Sequence, residues 1–410
     1  MRGASALCAL ALVSGCAARP QDRCASVKAE LDACLGASLP EMDCATLSDA
    51  DLDRVHDLTT GLSCELLAGA LPLDGDYLSA TCRLLDVGCV EATTPAPVRA
   101  PARLPILLVN GIDTSPLFRY ASRITSTLTD VGGDQVFLAT LPPYQPPRKR
   151  APLLWARVQE VMAQTGAPQV NLVCHSLGGL DCRYLVSPNG LPADLGDDAP
   201  TRAVASITTI GTAHRGTPVA DALLGLLPGG DQAQAANDFA TLVGDWFSPT
   251  VLMDDADLYA SLGALSVDEA ASFDGEIVDA DGVYYQSFAG ISQPRGEASA
   301  ELDDAIAAAC AADAAGEAIT GPLLPVRHDR MALPLAAFAP IVGRQDGRDV
   351  PNDGLVTVAS AKWGTFRGCV AADHMEQLGQ HDLPDVNVRT GFDVARFYAD
   401  LAADLARSGF

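Results

Sequence analysis

Basic residues are scarce in this chain. Lys and Arg number 27 against 52 Asp and Glu, which leaves a formal net charge of −25 at pH 7. A surface with that balance repels phosphate backbones, so no nucleic acid is expected as a partner. It also opposes unaided adsorption to anionic lipid headgroups, and it reads most simply as a solubility or salt adaptation. Aromatic residues are scarce too, at 5%, so Ala, Leu and Val must fill most of the core that a 48% hydrophobic composition supports. Long apolar runs are missing: no stretch reaches the roughly 18 uncharged residues that a membrane-spanning helix needs. The apolar run from Ala4 to Val13 is shorter than that. It follows the positive start Met1-Arg2 and precedes the small residues Ser14-Gly15, as in an export signal over residues 1–15.

Cysteine is plentiful. The chain has 12, and six of them (Cys24, Cys34, Cys44, Cys64, Cys82 and Cys89) fall in one short segment. In an exported chain this spacing reads as a disulfide framework whose connectivity the sequence leaves open. Leu47, Leu52, Val55 and Leu58 recur at helical spacing between them, so residues 16–92 are expected to form a small, disulfide-rich helical module. Such a module would bind a protein partner or act as a protease-resistant spacer. Pro95, Pro97 and Pro101 then mark an extended linker over residues 93–104. A length of 410 residues suits this small domain plus a large one over 105–410.

The large domain reads as alternating strands and helices. Pro105 to Val109, Val136 to Leu141, Gln169 to Val173 and Val204 to Ile210 are short apolar runs bounded by turn residues, as in strands buried on both faces. Helical spacing appears over Leu153–Met162, Leu180–Leu185 and Arg389–Arg407. This alternation predicts an α/β domain with a mostly parallel central sheet and helices on both faces.

The third run leads directly into Cys174-His175-Ser176-Leu177-Gly178-Gly179 and then a helix. A serine hydroxyl is a weak nucleophile that needs a base and a site for the developing oxyanion. A sharp strand-to-helix turn raises its Oγ above the sheet and requires small neighbours, which Gly178 satisfies. Two residues before the serine that pattern has Gly, and this chain has Cys174. The N–H of Leu177, opening the helix, is one candidate oxyanion donor. The N–H of Ile112, in the turn Asn110-Gly111-Ile112 after the first strand, is the other.

Acid and base should follow the serine in the order Asp, His. Of the six histidines, His56 lies in the cysteine module, and His175 precedes the serine with its side chain expected to point away. His214 comes too soon and reads as a structural hydrogen-bonding residue, and His328 lies in a polar insertion. His374 and His381 remain. Asp353, in Pro351-Asn352-Asp353-Gly354-Leu355-Val356, has the context of a sheet-edge turn that Asp346, Asp349 and Asp382 lack.

At these motifs the chain resembles the true lipases of Pseudomonas and Burkholderia, α/β-hydrolases. The stretches that carry the resemblance are Pro105–Gly111, Val170–Gly179, Thr208–Thr217 and Asn352–Val356. The resemblance implies an α/β-hydrolase fold and ester hydrolysis, most simply of triacylglycerol, through Ser176, Asp353 and His374. It selects His374 over His381, because Glu376 and Gln380 match the residues that trail the family's base. It further implies no organic cofactor, a structural calcium held by Glu376, Gln380 and the carbonyl of Pro384, a mobile lid within residues 220–262, and a folding chaperone as partner. The same triad would serve an acyltransferase or a phospholipase. A lipid-anchored binding protein on an inactive hydrolase fold, or a cysteine module that does the work, are rival readings.

Val13-Ser14-Gly15-Cys16 in turn resembles a bacterial lipoprotein cleavage box. This implies acylation of Cys16, and Ala17 after it implies the outer membrane. The chain departs from the lipases at Asn110, where they have His, and at Cys174, where they have Gly. Cys310 and Cys369 are expected to pair, whereas Cys174 and Cys182 are expected to be free and buried.

Overall fold

The computed structural model describes residues 100–410 apart from 116–117, 227–256, 297, 314–327, 346, 381–389 and 391, and only positions 25, 26 and 29 before them. The chain divides into two compact units, Met1–Thr93 and Thr94–Phe410. The expectations for the export signal, Cys16, the cysteine module, Pro384 and the centre of the lid lie outside the described residues.

The second unit is an α/β fold. Its strands are β1 (Ile106–Val109), β2 (Val136–Ala139), β3 (Val170–His175), β4 (Val204–Ile210), β5 (Tyr284–Gly290) and β6 (Thr365–Val370). They form one parallel sheet in the order β2-β1-β3-β4-β5-β6. The order reverses direction beside β1 and β3, which leaves a crevice at their carboxyl ends, where ligands bind in such sheets.

The sheet is covered on both faces, which explains why its strands are continuous apolar runs. Ile106, Leu108, Val173, Phe288 and Val370 pack with Ile124, Leu128 and the helix Val394–Ser408 on one side. Leu107, Val109, Leu172 and Ile207 face the other way, onto the helices Pro147–Thr165 and Leu177–Val186. In chain order the helices used below are α1 (Pro147–Thr165), α2 (Leu177–Val186), α3 (Pro218–Leu226), α4 (Leu258–Gly263) and α5 (Val394–Ser408). α1 opens with Pro at its first turn, where no N–H is missed, and closes on Gly166 at φ 70°. α5 starts at Asp393, whose side chain accepts from Arg396 N–H, and buries an apolar stripe from Val394 to Leu405.

Candidate active site

β3 and α2 meet at Ser176. Its backbone sits at φ 54° and ψ −129°, one of only two positive-φ non-glycine residues among those described. That conformation is costly for a residue with a Cβ and persists only where neighbours fix it. Here Ser176 N–H donates to Ile210 C=O at 3.0 Å, and Thr212 Oγ1 donates to Ser176 C=O at 2.9 Å. Gly178 is required by space: a Cβ there would lie 2.5 Å from the Asn110 carbonyl oxygen. The turn after β1 thus presses against the start of α2.

Leu177 is the first residue of α2, so its N–H has no carbonyl one turn back within the helix to bond. Ile112 lines the same cavity as Ser176. Between them, Gly111 approaches so closely that a Cβ would lie 2.9 Å from the Ser176 Cβ. Asn110 braces this turn from within. Its Oδ1 accepts from Leu141 N–H at 2.7 Å, and its Nδ2 donates to Gly111 C=O at 3.1 Å. Arg150, fully buried on α1, donates to the carbonyls of Gly111 at 2.7 Å and Asn110 at 2.9 Å. Its Nε lies 3.0 Å from Asp181 of α2. Burial pushes the Asp181 carboxyl up to about 7, against the opposing pull of Arg150. Tyr144, the other positive-φ residue, hydrogen-bonds Asp113 through its hydroxyl, and its N–H donates to Ile112 C=O at 3.0 Å.

Asp353 and His374 meet at the end of β6. Asp353 Oδ1 accepts from the N–H groups of Leu355 at 3.0 Å and Val356 at 2.8 Å. Its Oδ2 lies 2.8 Å from His374 Nδ1 and accepts from Gln377 Nε2, also at 2.8 Å. His374 N–H donates to Asp353 C=O at 3.0 Å, so backbone and side chain fix the same pair. This network assigns the proton to Nδ1 and leaves Nε2 as the acceptor. His374 and Ser176 line one apolar cavity of about 60 Å³ with Ile112, Tyr144, Leu223 of α3 and Leu262 of α4. The ends of the expected lid therefore form part of its wall.

His175 does not point away from this group. Its ring packs on His374, with centroids 4.5 Å apart, and burial drives its pKa well below the usual histidine value. His214 is buried between Thr209 Oγ1 at 3.0 Å and Trp363, on which it stacks. Cys310 and Cys369 are bonded, and so are Cys174 and Cys182. The expectation of free thiols at the elbow is therefore corrected: the turn brings α2 back beside β3, so that Cys182 faces Cys174.

Glu376 joins Asp329 and Asp373, with carboxylate oxygens within 4.8 Å of one another. All three are buried. Burial and the charge of Asp329 push Asp373 up to about 7, and burial drives Glu376 well above its ordinary value. Gln380 spends its side-chain amide elsewhere, donating to Arg119 C=O at 2.7 Å. Asp329, Asp373, Gln377, Tyr144 and Arg150 join these groups without having been singled out from the sequence. Only Asp373 and Gln377 carried a signal, their adjacency to His374.

No family model matches the chain. It is 34% identical over 200 residues to a triacylglycerol lipase of Burkholderia plantarii, covering 45% of this chain and 52% of that protein. It is 37% identical over 135 residues to a triacylglycerol lipase of Vibrio cholerae, covering 32% of this chain and 39% of that protein. With a triacylglycerol lipase of Pseudarthrobacter phenanthrenivorans it shares 34% over 184 residues, 42% of this chain and 54% of that protein. The chain thus spans about half the length of these three curated relatives. Among solved structures, a lipase of Staphylococcus hyicus superposes with a TM-score of 0.48 at 16% identity, over 76% of this chain and 97% of that one.

Proposed function

We propose that this chain is an exported serine hydrolase of the α/β-hydrolase type that cleaves carboxylic esters, triacylglycerols foremost. One observation carries the reading: a strained strand-to-helix serine and an aspartate-held histidine line one apolar cavity. The partial likeness to triacylglycerol lipases supports the substrate class.

In this mechanism Ser176 Oγ attacks the ester carbonyl while His374 Nε2 takes its proton. Asp353 holds the Nδ1–H and stabilises the imidazolium. The N–H groups of Ile112 and Leu177 receive the oxyanion, and Arg150 and Asn110 hold the first of these donors in place. His374 then protonates the departing alkoxide, and the acyl group stays on Ser176. Water, deprotonated by the same imidazole, attacks the acyl-enzyme and releases the fatty acid.

A calcium ion fits the cluster of Asp329, Asp373 and Glu376. Three buried carboxylates at this spacing repel one another, and a hard cation with oxygen ligands relieves that repulsion. When bound it would neutralise their charge and brace the loop that carries His374. Export is supported by two disulfides among the described residues, since such bonds persist in oxidising compartments. Acylation of Cys16 and attachment to the outer membrane complete the reading.

The test is hydrolysis of short p-nitrophenyl esters and of emulsified triacylglycerol by the wild type and by Ser176→Ala. Loss of about three orders of magnitude or more in kcat with the variant is expected. Equal rates for the two proteins would remove Ser176 from the mechanism. Cleavage of short esters alone would make the protein an esterase.

A further inference from the structure

The bond between Cys174 and Cys182 closes a loop with a sequence separation of eight, and Ser176 lies inside it. Its two ends are unlike in mobility. Cys174 is fixed in the middle of the sheet, paired with Val109 of β1 on one side and Thr209 of β4 on the other. Cys182 sits on the second turn of α2, whose ion pairs, Asp181 with Arg150 at 3.0 Å and Arg183 with Asp274 at 2.7 Å, tie it to neighbouring helices and not to β3. The bond adds a direct covalent tie from α2 to the central strand, and so constrains the rotation and height of the helix over the sheet. Those two quantities determine where the N–H of Leu177 and the Oγ of Ser176 stand relative to each other. The Ser176 backbone, at φ 54°, would relax if the two arms of the turn could separate.

We propose that this disulfide is a positioning clamp for the nucleophile turn, a covalent device that takes over at Cys174 the place where the motif has glycine. The inference rests on the reading of Ser176 as the nucleophile. Neither sulfur lines the cavity: both cysteines are fully buried with Leu154 and Leu185 on the face of the sheet covered by α1 and α2. Any effect on rate must therefore act through geometry. The same burial shields the bond from dissolved thiols in the folded protein.

Three measurements test the clamp on the full chain. Alkylation of unreduced, denatured wild type should leave Cys174 and Cys182 unlabelled, and labelling of both would overturn the proposal outright. Cys174→Ala/Cys182→Ala should lower kcat on a short p-nitrophenyl ester about tenfold with KM within about twofold, as expected for a misplaced reacting group. The restoring variant Cys174→Gly/Cys182→Ala supplies the small residue of the motif without the bond, and it should stay equally slow. A kcat within about twofold of wild type in either double variant would reduce the bond to a staple and overturn the clamp. Amide exchange in the peptide spanning residues 174–182 should quicken in both variants, and unchanged exchange also overturns the proposal. That last readout needs no catalysis. If the wild type cleaves no ester, the reading of Ser176 falls while the clamp is still decided by exchange.

Discussion

At the scale of single residues, the proposed acid is defined by what donates to it. Asp353 accepts four hydrogen bonds, two from backbone N–H groups, one from His374 and one from Gln377. These donors fix both carboxylate oxygens, and through Oδ2 the orientation of the His374 ring. Gln377 is fully buried and shares Oδ2 with the histidine, so it fixes where that oxygen points. Gln377→Leu keeps much of the volume and removes the donor to Oδ2. The carboxylate then loses one of the contacts that aim it at Nδ1, so kcat on a short p-nitrophenyl ester should fall by about tenfold, within the span of a misaligned general base. A kcat equal to wild type would remove Gln377 from the site. His175 shows how residue-scale reasoning fails. Strand alternation places its side chain opposite its neighbours, which is correct, but the loop carrying His374 arrives on that same face.

At the scale of elements, the loop between β6 and α5 carries both His374 and the carboxylates Asp373 and Glu376. Asp373 is raised from 3.8 to about 7 in the fold, mainly by burial. A carboxyl raised in this way binds a proton that the unfolded chain gives up, so unfolding releases protons and stability falls as pH rises. Its contribution is fully present below 3.8 and is lost as pH climbs through about 7. Without calcium, the melting temperature should therefore decline across that window. Millimolar calcium should raise it, and by more at about pH 8 than at about pH 5, because the ion displaces protons from the ligands. An equal shift at both pH values, or none, would argue that no ion binds there. The sequence disclosed much of this architecture. β1 and β3 were legible as apolar runs because they are buried on both faces. Ser176 and Asp353 were proposed from the residues their turns demand, whereas His374 was separated from His381 only by the resemblance to the lipases. Asp329 was not, since it comes from a segment without a motif and reaches the loop only through the fold. The Cys174–Cys182 bond was invisible for a related reason: whether a strand cysteine faces a helix cysteine depends on the turn between them.

At the scale of the whole molecule, charge governs how the enzyme meets its substrate. A formal charge of −25 on 410 residues gives the protein a long-range negative field, while the proposed substrate sits at a lipid–water interface. The cavity at Ser176 is apolar, so the final contact gains from burial, but the approach to an anionic surface is opposed. The two effects separate by range. Apolar contact acts at touching distance and is little changed by moderate salt. The repulsion extends over the Debye length, about 30 Å at 0.01 M and about 3 Å at 1 M. Triacylglycerol emulsions coated with zwitterionic phosphatidylcholine should therefore be hydrolysed at nearly the same rate at low and high sodium chloride. Emulsions carrying phosphatidylglycerol should be hydrolysed more slowly at low salt and recover as salt rises. An acylated Cys16 would blunt the difference by tethering the enzyme to its surface, so the comparison should be made with protein lacking the acyl chain and repeated with it. Equal rates on both emulsions at low salt would mean that the acidic surface does not face the interface during turnover, and that the cavity is presented by a locally neutral side of the molecule.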